Sequence, residues 1–352
     1  MKILKKIFRL ILVLIFLLAL GFVGIIVYAI ISDYKPEEKI TLFNSDSPDR
    51  LPDTAGISLI TWNIGYCGLD KEMDFFYDGG TKVITPEAKY IENLDAVEKF
   101  LSQNDTVDFI LIQEIDKNSK RSYKIDQFEK FGKLLNEFHP FFATNYEVFF
   151  VPVPPASPMG KVLSGVATFS RYQPSSSTRY QFPGKYGFPK QLFMLDRCFL
   201  LTRYPLEDGK ELLVINTHNE AFDPGQIRKA QMAYLKQLLL SEYEKGNYVI
   251  TGGDWNMSPP GFVPEFSINK VNTDQMAMDS DFLPPEWKWV YDSKVPSNRS
   301  VIAGYDPSTT TTTVIDVFLL SPNIKNVSVE CINLDFENSD HNPVRIKVEL
   351  QK

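Results

Sequence analysis

The sequence predicts a mixed α/β sandwich, two sheets facing each other with helices outside, carried behind one apolar amino-terminal helix. Three observations lead there. Short β-branched and apolar runs recur along most of the chain, amphipathic stretches separate only some of them, and residues 10–31 carry no charge over 22 positions. Many strands with helices between only a few describe stacked sheets flanked by helices. With 44% hydrophobic and 23% charged residues among 352, the chain can bury a sizeable core.

Residues 1–9 form a basic tail, with Lys2, Lys5, Lys6 and Arg9. The run that follows, at 1.5 Å per residue, makes a helix of about 33 Å, enough to cross a bilayer core. A cleaved signal peptide fits less well, because its apolar region is shorter and a small-residue cleavage site follows it. Here the run ends in Tyr28-Ala29-Ile30-Ile31-Ser32. Basic residues before the span and Asp33, Glu37 and Glu38 after it place the amino terminus in the cytoplasm and the domain outside. Residues 32–55, rich in Pro, Asp, Ser and Lys, read as a polar linker, and residues 56–352 as one domain.

Within that domain, Ile57–Ile64 reads as a strand and Glu87–Gln103 as an amphipathic helix. Val107–Gln113 is a buried strand and Ile125–Phe138 a helix; strands follow at Phe141–Val151, Leu163–Ser170, Arg197–Arg203 and Leu212–Thr217. Pro224–Lys245 is a long helix, with Pro in its first turn and Gly246 just past its end. Tyr248–Gly252, Thr310–Leu320, Val327–Cys331 and Pro343–Leu350 complete the strands. Two long Pro- and aromatic-rich loops, Pro152–Lys190 and Pro259–Asp306, interrupt the pattern, and such loops are usually functional.

Residues 1–39 hold six of the 37 Lys/Arg and three of the 44 Asp/Glu, leaving 31 basic and 41 acidic residues, a net of −10. An acidic domain lacks the phosphate-neutralising surface of a general nucleic-acid binder, so nucleic acid is not the favoured partner. Cys67, Cys198 and Cys331 are scattered and show no zinc spacing or disulfide framework. Buried free thiols are expected, with one disulfide open if the domain faces an oxidising compartment.

Polar residues stand where apolar runs stop. Asn63 follows Thr61-Trp62, Gln113-Glu114 ends FILIQE, and Asn216-Thr217-His218 ends LLVINTH. Asp254 and Asn256 lie in GDWN, Asp340 and His341 in SDHNPV, and Asp316 inside the apolar TVIDVFLL. Each has an ordinary explanation when taken alone. Glu114 could face solvent, and Asn63, Asp254 and Asn256 could shape turns. Asp316 is different, since a carboxylate inside an apolar run is costly unless paired.

The tracts TWNIG, QEID, NTH, GDWN, IDVF and SDHNPV, in that order over residues ~57–350, resemble the endonuclease/exonuclease/phosphatase superfamily. The resemblance implies a four-layer α/β/β/α sandwich of the deoxyribonuclease I type and hydrolysis of a phosphoester at a Mg²⁺ or Mn²⁺ site. It implies that Glu114, Asn63 and Asp340 serve the metal, with Asp254 orienting or deprotonating the attacking water. Asn256 would donate to the phosphoryl oxygens, and His341, held by Asp316, would stabilise the transition state or move a proton. His218 would protonate the leaving group; apurinic endonucleases carry tyrosine at that place, so the chain departs from that branch. Inositol phosphatases usually carry arginine where Asn342 stands, which sets that branch aside too. Arg121, seven residues past Glu114, is a candidate for binding substrate phosphate. The expected substrate is a lipid head group or other small phosphoester, the expected state a monomer. Two alternatives remain at this stage: an extracytoplasmic nuclease, and a membrane-displayed binding protein that kept the fold without activity.

Overall fold

A computed structural model describes residues 1–52, 56–266 and 276–351. Residues 53–55 of the expected linker and 267–275 of the second long loop lie outside the described residues, as does residue 352. The amino-terminal helix α1 (Lys2–Ser32) is long and apolar enough to cross a membrane. Its side chains are exposed almost throughout, and only Ala29 is buried. The domain then runs β1 (Lys39–Asn44), β2 (Gly56–Asn63), α2 (Glu87–Gln103), β3 (Phe109–Asp116), α3 (Gln127–Leu134), β4 (His139–Val151), β5 (Gly160–Ser170), β6 (Ser176–Gln181), β7 (Cys198–Pro205) and β8 (Glu211–His218). It continues through α4 (Gln226–Glu244), β9 (Tyr248–Asp254), β10 (Lys288–Val290), β11 (Asn298–Arg299), β12 (Thr312–Thr313), β13 (Asp316–Leu320), β14 (Ile324–Cys331) and β15 (Val344–Leu350).

The strands form two large sheets, ordered β1-β6-β7-β8-β9-β13-β10 and β14-β15-β2-β3-β5-β4, with β11 and β12 as a separate ribbon. Between the sheets lies a core that includes Leu59, Phe109, Leu111, Val214, Ile250, Phe318 and Ile346. Helices α2 and α3 cover the outer face of the second sheet, through Tyr90, Leu94, Val97 and Phe131 against Trp62, Ile110 and Phe169. Helix α4 covers the first sheet, through Met232, Leu235 and Leu239. The result is the four-layer α/β/β/α sandwich that the motifs implied.

Two strand pairs are parallel, β2 with β3 and β8 with β9, and each is joined through one helix, α2 or α4. Parallel neighbours need such a crossover, and it leaves their carboxyl ends at the same edge.

Residues 39–44, expected within a polar linker, instead form β1 and extend the first sheet against β6. The linker between α1 and β1 therefore spans only residues 33–38. Even that segment is tied down: the Glu38 carbonyl accepts from Gln181 N at 2.8 Å, and its carboxylate accepts from the Tyr234 hydroxyl at 3.0 Å. Helix α3 is shorter than its periodicity suggests. Asp126 caps it by accepting from Glu129 N at 2.8 Å, and the helix ends at Leu134. All three cysteines are buried and free.

Candidate active site

Strand register does most of the gathering. In the parallel pair β8–β9, His218 stands opposite Asp254, and in the antiparallel pair β9–β13, Asp254 stands opposite Asp316. Gly253 is required for this register. Its φ is +149°, and a Cβ there would collide with the Thr217 carbonyl. In the other sheet Asn63 ends β2 opposite Gln113. The next residue, Glu114, sits in a β-bulge where the β3–β5 register shifts, with φ +54°. A bulge re-aims a side chain, and the left-handed conformation is costly for glutamate. The segment before β15 is pinned to the end of β2: Ser339 Oγ donates to Asn63 O at 2.8 Å, and Trp62 Nε1 donates to His341 O at 2.8 Å.

These constraints bring the polar groups within a few ångströms. His341 Nδ1–H donates to Asp316 Oδ2 at 2.8 Å, and Ser297 Oγ donates to the same oxygen at 2.7 Å. His341 Nε2 faces Asp254 Oδ2 at 3.8 Å, Asp340 Oδ2 at 3.9 Å and the Asn298 amide at 3.0 Å. Burial alone would push His341 down, but the Asp316, Asp340 and Asp254 carboxylates hold it well above the usual histidine range. In the structure it is Asn298 Nδ2 that faces Nε2, and a proton on Nε2 requires this amide to turn over and present its oxygen. Burial raises Asp316 above the ordinary carboxylate range, and the His341 charge and hydrogen bond pull it back. His218 is the opposite case: burial, then the Arg197 charge, holds it well below the ordinary value. Its Nε2 lies 3.5 Å from Asp254 Oδ2 and 3.9 Å from Glu114 Oε1.

Asn63 Nδ2 donates to Asp254 Oδ2 at 2.9 Å and to Glu114 Oε1 at 3.3 Å, while its own oxygen accepts from Gly65 N at 3.0 Å. It therefore orients two carboxylates rather than offering a ligand oxygen of its own. Asp254 Oδ1 accepts from Asn256 N at 2.9 Å, and Asn256, at φ +51°, also donates from its side chain to Asn219 O at 3.0 Å.

The donor set fits a hard divalent cation. Ligand atoms of Asp254, Asp316 and His341 lie within 4.8 Å of one another, a grouping able to hold a metal. Asp316 and His341, however, already satisfy each other, and Ser297 adds to the same oxygen. Glu114 and Asp340 are freer. Asp340 is pushed up to about 7 by burial, relieved in part by His341 and raised further by Glu114. A buried carboxyl raised by its own burial and by a neighbouring carboxylate is what a divalent ion satisfies, with oxygen ligands and retained waters.

A cavity of about 1000 Å³ opens over these groups. Arg121 lines it, but its guanidinium forks onto Asp116 at 3.1 and 3.0 Å and stacks over Tyr66 at 3.7 Å, so its charge is already matched. Arg197 also lines the cavity, and its buried Nε and Nη1 make no hydrogen bond. Trp62 and Trp255 are core residues, packed edge-on against Phe100 and Trp289. His139 opens β4, away from this group. Ser297 and Asn298 escaped the sequence reading because they lie at the start of the very short β11, in a stretch with neither motif nor periodicity. Gln113 and Asn216 did carry a signal: they are polar positions inside apolar strand runs. They join the sheets beneath the site, Gln113 Nε2 donating to Asn216 Oδ1 at 2.7 Å.

Comparison with known proteins bears on the family and the fold. The model of the Endonuclease/Exonuclease/phosphatase family matches residues 60–341. No curated protein matches the chain significantly. Among solved structures, an endonuclease/exonuclease/phosphatase from Beutenbergia cavernae DSM 12333 is similar at 15% identity and TM-score 0.57, over 84% of this chain and 72% of that one. ANGEL2, a 2′,3′-cyclic phosphatase bound to adenosine-2′,3′-vanadate, is similar at 15% identity and TM-score 0.56, covering 88% and 100%. D. rerio TDP2 with a single-strand DNA product is similar at 15% identity and TM-score 0.53, covering 84% and 99%. At such identities the likeness establishes the shared fold.

Proposed function

Because the chain belongs to the endonuclease/exonuclease/phosphatase family, we propose that it is a membrane-anchored hydrolase that uses Mg²⁺ or Mn²⁺ to add water to a phosphoester. The family acts on phosphoesters, and its members include phosphatases, nucleases and phosphodiesterases. The observation that carries the reading here is the buried meeting of Asp254, Asp316 and His341 beside Glu114 and Asp340 at one sheet edge.

Glu114 and Asp340 would hold the ion, with Asn63 keeping Glu114 in place. The chemistry a divalent metal supplies there is neutralisation of charge on the phosphoryl oxygens. Asp254, fixed at both carboxylate oxygens by Asn256 N and Asn63 Nδ2, is placed to take a proton from water. His341, kept cationic by three carboxylates, donates from Nε2 either to a phosphoryl oxygen or to the departing alkoxide. Asp316 fixes the ring's orientation by accepting from Nδ1–H, as a buried carboxylate does in other catalytic pairs. His218 enters as a neutral imidazole, so of the two histidines His341 is the better proton reserve. Arg197 lines the cavity with Nε and Nη1 free of hydrogen bonds and only a loose ion pair to Glu220 at 3.8 Å, so it is a better phosphate partner than Arg121, which forks onto Asp116. We read α1 as the membrane anchor, with its basic end in the cytoplasm.

The test is hydrolysis of bis-p-nitrophenyl phosphate by the full chain in detergent with Mg²⁺ or Mn²⁺. Turnover that EDTA abolishes, and that His341→Ala lowers by about a hundredfold or more, is expected for loss of an electrostatic donor. A folded protein inert with both metals would remove the proposal and leave an anchored domain without catalysis.

A further inference from the structure

The cavity above the site is not walled by the domain alone. Phe22, Ile25 and Ile26 of α1 line it together with Glu114, His218, Asp254 and His341. The helix is seated there by specific contacts: the Tyr28 ring meets Phe149 edge-on at 4.3 Å, and Ala29 is 2% exposed. The linker that follows α1 has six residues, 33–38, so it can span at most about 20 Å even when fully extended. The domain cannot leave the membrane surface if α1 spans the bilayer.

Depth along the helix can be estimated. Phe22 precedes the last helical residue, Ser32, by ten positions, which is about 15 Å along the axis. That is roughly half of a bilayer core of about 30 Å. The domain wall beside α1 is also apolar, built from Val151, Pro152, Val153, Pro155, Met159 and Phe193. At the mouth, Val153 and Phe222 remain 44% and 45% exposed. The cavity thus has two chemistries. Its floor carries carboxylates, two histidines and Arg197, and its open side carries hydrocarbon that continues onto α1.

We infer that the substrate is a membrane phospholipid, a phosphodiester with acyl chains, which enters sideways from the leaflet and lies along α1 while its phosphate reaches the strand ends. This rests on reading the site as a phosphoester hydrolase. Water adds its oxygen to phosphorus, the P–O bond to one of the two alcohols breaks, and that alcohol leaves with the proton. A polynucleotide would leave the apolar wall without a use and would bring its anionic backbone to a domain of net charge −10. A head group alone needs much less than the space present, which matches the upper end of small-ligand pockets.

The experiment uses the full chain reconstituted into vesicles of phosphatidylcholine, phosphatidylethanolamine and phosphatidylglycerol in equal parts, with Mg²⁺ or Mn²⁺. Release of both product pairs, diglyceride with phosphorylated head group and phosphatidic acid with free head group, is followed beside hydrolysis of soluble bis-p-nitrophenyl phosphate. The groove is then filled by Ile25→Trp with Ile26→Trp, which keeps α1 apolar and leaves the sandwich untouched. The ratio of lipid to soluble-diester turnover is expected to fall about tenfold or more, since each lost methylene contact is worth a several-fold factor. A second reading needs no turnover. In EDTA, phosphatidylcholine bearing a diazirine in its acyl chain should label Phe193, Met194 or Met159 in the domain. An unchanged ratio, labelling confined to α1, or a wild type that cleaves the soluble diester but none of the vesicle lipids would each overturn the lipid assignment alone. Failure on both substrates with both metals would instead overturn the hydrolase reading beneath it.

Discussion

Glu114 shows how a single backbone distortion makes a site. Its neighbours Gln113 and Ile115 continue β3 on either side of the bulge, and only the bulged residue turns its carboxylate toward Asn63 and His218. The cost of the left-handed backbone is accepted where the side chain is needed, as at other functional positions. If Glu114 holds the metal and Asp254 serves water, the two respond differently to mutation. Titration calorimetry with Mn²⁺ should show affinity reduced about tenfold or more for Glu114→Ala and little changed for Asp254→Asn, whose turnover falls nonetheless. Equal affinity in wild type and Glu114→Ala would remove the assignment. Asn298 invites a second test, because it touches His341 at Nε2 and, of the metal-side residues, only the Asp340 backbone carbonyl at 3.4 Å. Asn298→Ala should lower kcat by about tenfold, equivalent to one hydrogen bond of about 1.4 kcal/mol, and shift the pH profile while leaving KM nearly unaltered. A purely structural role would change thermal stability and not the profile. The residues at this scale were legible from the sequence where they ended strands. Asn298 and Ser297 were not, because β11 is too short to show an alternating pattern and their partners, Asp316 and His341, are some distance away in sequence.

Among elements, α2 was readable to its ends, since its apolar face repeats at helical spacing and buries Tyr90, Leu94, Val97 and Leu101. Strands β1 and β6 were missed for a physical reason. Strand β6 buries Arg179, whose Nε donates to the Thr144 carbonyl at 2.7 Å, where an alternating pattern would call for a hydrocarbon. Helix α4 is fixed to its sheet by charge as well as packing. Arg203 of β7 forks onto Glu242 of α4, at 2.7 Å and 3.2 Å, and Lys245 and Asn247 add hydrogen bonds to the same carboxylate. Burial would raise the Glu242 carboxyl, but these donors bring it down to about 2. A folded-state value below the unfolded one stabilises the native protein above pH ~4.5. That contribution is lost as pH falls through the window between ~4.5 and about 2. Glu242→Gln should therefore cost about 3 kcal/mol at neutral pH by chemical denaturation, and the gap to wild type should narrow as pH falls through that window. A gap independent of pH would show that the charge pair contributes nothing.

For the whole molecule, the motif order and strand count were enough to describe facing sheets, because motif-bearing strand ends and apolar runs report burial directly. Where the domain begins was not legible. Polar, proline-containing sequence between the apolar helix and β2 reads as a linker, yet part of it is folded. Strand β1 pairs with β6, Phe43 meets Phe141 at a ring distance of 5.4 Å, and Leu51, 1% exposed, enters the core between the sheets. Helix α1 is the reverse case, unmistakable in sequence but nearly without burial of its own. Two truncations follow from the difference. Removing residues 1–33 takes away one apolar wall of the cavity and little of the domain's packing, so the unfolding midpoint should stay within about 3 °C of the full chain in the same detergent. Removing residues 1–52 deletes β1 and empties the Leu51 site, a loss of roughly 3 kcal/mol from the buried leucine alone. The midpoint should then fall by roughly 6–12 °C for a domain of this size. Calorimetry of both truncated chains separates the possibilities. If they melt together, the segment before β2 is a linker after all and the domain is free to stand away from the membrane. If they part as expected, the folded body begins within a few residues of the anchor, and its catalytic edge is held at the lipid surface.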